Sequence, residues 1–248
     1  MRYTSTGGGY RRAWVEAGDH DPDWGVLTYR GRRKSWAREQ DEFYQTGVEQ
    51  VAECLALLPY VPRGKALDFG AGTGRLSFAL AAHFKSVTCV DASPSMRALL
   101  LQRAQARGIQ NIEVIPSEAL PAPGHAFVLS LITLQHLSGP GEIERCVQVL
   151  LSSLLPGGLG VLEVPSACRG IVARLNTKWH PKYHLYLWAR HLGVGVATLH
   201  AFGIHGFRMT IVDPPEMKGW IEKAGGELLG FYDAPGSITQ TKYLVRRL

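Results

Sequence analysis

The sequence predicts a doubly wound α/β domain whose mostly parallel sheet ends in a C-terminal antiparallel strand, with an N-terminal helical cap and an inserted lid. Three observations predict it. From Lys65 onward, short apolar runs alternate with amphipathic stretches, the pattern of βαβ units with both sheet faces covered. A glycine-rich turn, Gly70-Ala-Gly-Thr-Gly74, joins the first run to the first amphipathic stretch. Near the C-terminus, segments 226–234 and 241–247 are close enough in sequence to pair antiparallel.

The elements follow in order. The first 60 residues hold an irregular opening, a basic run (Arg30, Arg32, Arg33, Lys34) and a helix from about Gln45 to Leu58. Residues 65–70 read as the first strand, and Leu76, Leu80 and Phe84 then recur at helical spacing. Residues 86–91 form a second strand, after which Ser93 caps a helix with Pro94 in its first position. Residues 112–116 and 126–132 read as strands three and four. A helix from Glu142 to Leu154 turns Ile143, Val147 and Leu150 inward, and Pro156-Gly-Gly158 leads into strand five at 159–164. Asp213 starts a helix with Pro214 in its first position, running to Ala224. The expected organisation is an arm and cap helix over 1–60, a core over 61–165 and 213–248, and a lid over 166–212.

The chain has 248 residues, 46% hydrophobic and 19% charged, so it can bury a sizeable core and is not of disordered composition. No apolar run reaches the roughly 18 residues of a membrane span, and the opening residues lack an export-type apolar region. Cys54, Cys89, Cys146 and Cys168 are far apart, which argues against a zinc ribbon or a disulfide framework and fits the cytoplasm. The net charge of +6 is concentrated. Between Ser166 and Val212 lie six Lys or Arg and five His without one Asp or Glu, interleaved with Trp179, Tyr183, Tyr186, Trp188, Phe202 and Phe207. An insertion of that size is usually functional, and its cations suit an acidic acceptor. His180 and His184 have helical spacing, but no third ligand accompanies them, so no metal is expected.

Glycine is needed where φ is positive or where a ligand lies against the main chain, and a helix start offers unpaired N–H groups. The turn after strand one combines both features. Its spacing is G-x-G-x-G, and Arg75 stands where the dinucleotide fingerprint would need a third glycine. Strand two ends at Asp91, where a carboxylate can accept hydrogen bonds from both ribose hydroxyls. Loop and acid together define a nucleoside site.

The run Asp68-Phe-Gly-Ala-Gly-Thr-Gly74, followed by Val90-Asp-Ala-Ser-Pro-Ser-Met96, resembles the nucleoside-binding pattern of the class I S-adenosylmethionine-dependent methyltransferases. The resemblance covers about 47–248 and implies a Rossmann-like fold and S-adenosylmethionine as cofactor. It implies that Gly70, Gly72 and Gly74 cradle the methionine portion, that Asp91 binds the ribose and that Met96 flanks the adenine; Asp68, which can hold loop amides or reach an amino group on the ligand, and Phe69, Ala71 and Ala92 are the further cofactor contacts. Ser117 and Glu118 occupy the region that contacts adenine in the family, and the segment through His136 resembles the one at the methyl-transfer end. A neutral histidine suits removal of a hydroxyl proton, which makes His136 the candidate base. Tyr44, His180, His184, Arg190 and Arg208 are the candidate acceptor contacts. The expected activity is O-methylation of a small acidic or polar metabolite, preferred over nucleic acid as acceptor. An RNA methyltransferase, a peripheral membrane enzyme methylating a lipid, and a cofactor-binding interaction module without turnover are the alternatives.

Overall fold

A computed structural model describes residues 14–16, 18–20, 22–27, 39–119, 123–175, 177, 180–202, 204 and 206–248. The basic run at Arg30–Lys34, and Lys178 and Trp179 of the insertion, lie outside the described residues.

After a short helix α1 (Pro22–Val26) comes α2 (Gln40–Ala56), then β1 (Lys65–Phe69), α3 (Arg75–Ala81), β2 (Ser86–Asp91), α4 (Pro94–Ala106), β3 (Ile112–Pro116) and β4 (His125–Ser130). A 3₁₀ turn at Leu134–His136 leads to α5 (Pro140–Ser153) and β5 (Leu154–Cys168). The insertion carries α6 (Ile171–Arg174), α7 (Pro181–His191) and α8 (Val196–Ala201), and the chain finishes with α9 (Pro214–Lys223), β6 (Gly226–Ala234) and β7 (Ile238–Arg247). Helix α2 begins five residues earlier than the sequence predicts, and Asp41 and Glu42 sit in its first turn, where acids favour a helix N-terminus. Helix α4 starts as predicted, with Ser93 Oγ accepting the Met96 N–H and Pro94 inside the first turn.

The seven strands form one sheet in the order β3-β2-β1-β4-β5-β7-β6. Strands β1 to β5 are parallel, and β7 runs antiparallel to both β5 and β6. Side chains alternate between faces along each strand. Ala66, Phe127, Leu129 and Val161 meet Val51, Leu55, Leu76, Leu80 and Leu100 on one side. Leu67, Val128, Leu162 and Val245 meet Ile143, Val147, Leu150, Met217 and Ile221 on the other. That two-period pattern is why the parallel strands read as near-continuous apolar runs. Chain order reverses between β1 and β4, and a ligand crevice opens beyond the carboxyl ends of strands at such a switch point.

The insertion leaves and rejoins the core at adjacent points, with Val212 N donating to Pro165 O (2.9 Å) and Thr210 N to Gln135 O (2.7 Å). Its helices share a small core of Tyr186, Ala189 and Leu199. No helix among the described residues is long and apolar enough to cross a membrane.

Candidate active site

The switch point holds a cleft enclosing about 1070 Å³, counting the space at its mouth. Its floor is the β1–α3 loop. Gly70, Gly72 and Gly74 have φ of 85°, 55° and 94°, a region open to glycine at little cost. A Cβ on Gly70 would overlap the Thr133 side chain, and one on Gly72 would overlap Val26 of α1. The loop is tied to β2 through main-chain bonds, Gly70 N and Ala71 N both donating to Val90 O (2.8 and 2.9 Å). Asp91 extends the tie, its two oxygens accepting from Gly72 N and Ser93 N, each at 2.8 Å. Burial pushes the Asp91 carboxyl above its usual range, against the pull of those two N–H groups. Each carboxylate oxygen retains a second lone pair for a ligand hydroxyl.

Asp68 lies one layer below. It is buried, one oxygen accepts from Ser77 Oγ (2.6 Å), and the other has no partner. Burial raises its pKa to about 6, which the Ser77 hydroxyl opposes.

Of the residues assigned to the cofactor from sequence, Phe69, Gly70, Ala71, Gly72, Asp91, Ala92, Met96 and Ser117 line the cleft. Asp68, Gly74 and Glu118 are not among its lining residues. The lining also includes Ile132 and Thr133 of the segment through His136, and residues sequence reasoning did not select: Trp14, Gly25 and Val26 from the N-terminal arm, and Glu142 of α5. The arm is anchored through Asp23, which is 2% exposed and takes hydrogen bonds from both Arg103 guanidinium nitrogens (2.5 and 2.8 Å), Thr73 Oγ1 (2.9 Å) and Gln40 Nε2 (2.9 Å). Burial would raise the Asp23 pKa, but Arg103 outweighs it and holds the carboxyl below its usual range.

His136 stands at the opposite end of the cleft from Met96 and Ser117, beyond β4. Gln240 Nε2 donates to Gln135 Oε1 (3.0 Å), which turns the Gln135 amide nitrogen toward His136 Nε2 (3.0 Å). His136 Nδ1 then donates to the Arg208 carbonyl (2.7 Å), so the ring is the Nδ1–H tautomer. Burial lowers its pKa to about 4, outweighing the Arg208 carbonyl, and leaves the imidazole neutral near pH 7. Trp14 packs on it at 4.7 Å between ring centroids and stacks on Phe207 at 4.3 Å. This wall therefore draws on the arm, the β4 turn and the insertion.

The five candidate acceptor contacts lie elsewhere. Tyr44 is buried behind the glycine loop, donating to Thr73 O (3.1 Å) beneath the Arg107 guanidinium. Arg190 pairs with Glu16 (3.0 Å), which also accepts from the Tyr186 hydroxyl. Arg208 places its guanidinium over the Tyr183 ring, His180 caps α7, and His184 is exposed beside Tyr183. The acid that faces the basic insertion is thus Glu16, far away in sequence. The one Lys or Arg lining the cleft among the described residues is Arg75, whose guanidinium is turned to Thr46 and Gln50 of α2.

Residues 66–158 match a family described as "Methyltransferase domain". Ribosomal RNA small subunit methyltransferase G of Coxiella burnetii is 32% identical over 108 residues, 43% of this chain and 51% of that protein, so the chain spans about half the length of the curated relatives it matches. A S-adenosylmethionine-dependent methyltransferase from Leishmania major superposes with a TM-score of 0.64 at 14% identity, covering 96% of this chain and 83% of its own. Magnesium protoporphyrin IX methyltransferase from Synechocystis with bound S-adenosylhomocysteine superposes at 0.60 and 17% identity, covering 96% and 98%. Likeness at this identity shows the fold. Residues 66–158 thus match a methyltransferase domain, and the sheet order and the glycine loop agree with the fold of the solved S-adenosylmethionine-dependent methyltransferases.

Proposed function

We propose that the chain methylates a hydroxyl oxygen of a small, uncharged and largely apolar acceptor, seated against Trp14, Ile132 and Leu137. One observation carries this reading: the His136 end of the cleft presents Trp14, Ile132, Leu137 and a neutral imidazole, the Glu142 carboxylate there accepts from Ser138, and the insertion's described cations are absent from its lining. Acidity in the acceptor was expected from those cations. Their placement favours an uncharged molecule instead.

When bound, S-adenosylmethionine supplies a sulfonium methyl group already activated for in-line displacement. The residues fit that molecule. Asp91 offers lone pairs for ribose hydroxyls, and the unpartnered Asp68 oxygen suits the ligand's ammonium group, directly or through one water. Ser117 and Met96 line the end of the cleft that this reading gives to the adenine. Trp14 and Ile132 exclude water from the acceptor. An acceptor hydroxyl that takes the place of the Gln135 amide donates to His136 Nε2. With a pKa of about 4, His136 is a weak base at rest. Alkylating a neutral hydroxyl makes its proton strongly acidic, however, so the transfer to Nε2 becomes favourable as the new bond forms. The unpaired cysteines, three of them buried, fit a cytoplasmic setting.

Labelled S-adenosylmethionine incubated with the protein and a fractionated native extract tests the reading. Label on the oxygen of an organic-extractable product is the expected result, and label confined to acidic, water-soluble metabolites would refute it. The partial match to a ribosomal RNA methyltransferase supports a second reading, RNA as acceptor. That reading requires labelled RNA and an affinity falling steeply with salt.

A further inference from the structure

Helix α7 has two unlike sides. Tyr186 and Ala189 are buried with Leu199 of α8, while Leu185, Trp188 and, just past the helix end, Leu192 follow at i, i+3 and i+7 on a separate, exposed stripe. Trp188 is 62% exposed, and Phe202 at the end of α8 is 78% exposed. With Ile171 and Leu187 these make six of the fourteen exposed large apolar side chains among the described residues, gathered within 32 residues of sequence. Exposed apolar side chains are normal when scattered singly, so their concentration here marks an interaction surface. The charge of the same segment selects the partner. From Ser166 to Val212 there is no Asp or Glu, and Arg169, Arg174 and Lys182 are exposed. An anionic bilayer answers both features, since its acyl boundary takes leucine and tryptophan side chains and its headgroup phosphates attract cations. RNA answers one: it pairs with the cations and can stack on Trp188 or Phe202, but it gives Ile171, Leu185, Leu187 and Leu192 nothing to bury against.

We propose that the outer surface of the insertion docks on an anionic lipid bilayer, with Leu185, Trp188 and Leu192 entering the boundary between headgroups and acyl chains and with Arg174 and Lys182 facing phosphates. At eleven residues α7 is far shorter than the roughly 20 needed to span a bilayer, so it lies along the surface. The buried side of the helix carries Tyr186, whose hydroxyl donates to Glu16, two residues from Trp14 on the cleft wall. Docking therefore holds the His136 end of the cleft near the membrane. That an uncharged, apolar acceptor is then drawn from the bilayer rests on the reading above; the docking itself does not.

Co-sedimentation of the full chain without cofactor tests the surface, using vesicles of phosphatidylcholine alone and of phosphatidylcholine mixed with an equal amount of phosphatidylglycerol. The chain should pellet with the mixed vesicles and bind the neutral ones at least about tenfold more weakly. Leu185→Ser combined with Trp188→Ser should weaken binding to the mixed vesicles by about tenfold or more, at an unchanged melting temperature because both side chains are exposed. Arg174→Gln combined with Lys182→Gln should weaken it about 30-fold and flatten its salt dependence. Absence of pelleting, equal pelleting with both kinds of vesicle, or either double variant binding like wild type overturns the proposal, as does capture by single-stranded RNA in place of vesicles. The methyl-transfer reading fails separately: vesicle binding with no label passed from S-adenosylmethionine to an organic-extractable product would refute it and leave the docking surface standing.

Discussion

The two ends of the cleft are built by different means. At the glycine-loop end, the contacts are main-chain bonds of 2.8 to 2.9 Å between two adjacent strands and their loops, sealed by one carboxylate. At the His136 end, side chains from three distant segments meet: Trp14 from the arm, His136 after β4, and Phe207 from the insertion. The first end is as rigid as the sheet beneath it. The second exists only when the arm and the insertion are both in place, which concentrates specificity in the parts of the chain free to vary without disturbing the sheet.

Substitutions at the two ends should therefore separate cofactor affinity from turnover. The largest effect is expected at Gly72→Val, where a positive φ and overlap with Val26 coincide; S-adenosylhomocysteine affinity should drop by about 100-fold or more with circular dichroism unchanged. Binding at wild-type strength would mean that the loop is not the seat of the cofactor. Next comes His136→Ala, for which turnover should fall roughly 100-fold while cofactor affinity stays within about twofold. The wild-type imidazole, with its pKa near 4, should give a turnover that does not change between pH 6 and 8 through this group. Its effect on stability has a definite sign. Between about pH 4 and 6.5 the unfolded chain binds a proton at this position and the folded chain does not, so stability is lost as pH falls through that window, by up to about 3 kcal/mol. Denaturant midpoints of wild type and His136→Ala at pH 7 and pH 5 would show it as a difference that closes at the lower pH.

Asp68→Asn should have mixed consequences. Removing a buried carboxylate with an unpartnered oxygen should raise the melting temperature of the free protein at pH 7, while weakening the cofactor about tenfold as its ammonium loses a charged partner. A melting temperature that falls would show that the buried charge is already compensated. The smallest effect belongs to Glu16→Gln, which loosens the arm from Arg190 and Tyr186. A partly buried ion pair of this kind predicts a rise of a few fold in the Michaelis constant for the acceptor, with the cofactor constant unmoved.

The same division explains what the sequence discloses. Strands, the Ser93–Pro94 cap and the residues from Phe69 to Ser117 on the cleft are local features, written as strand, turn and helix within one window of about fifty residues. Trp14 and Val26 are not, because their position depends on Asp23 reaching Arg103 and Thr73 across the molecule. Pro22 behind Asp21 marks a helix start and was the available signal. The cations at 182, 190 and 208 drew attention as a group, yet charge along a chain does not say which way each side chain faces. Arg190 meets Glu16, and Arg208 offers the site its carbonyl rather than its guanidinium.

The arm has a kinetic consequence. Val26 lies across Gly72, on the loop where the nucleoside's methionine portion is expected, and Asp23 pins α1 with four hydrogen bonds. A spent cofactor leaving that loop passes a segment that must first be unpinned, and its fresh replacement meets the same obstacle on entry. Cofactor exchange is then expected to require that α1 lift, which a rise in turnover on loosening the Asp23 contacts would show.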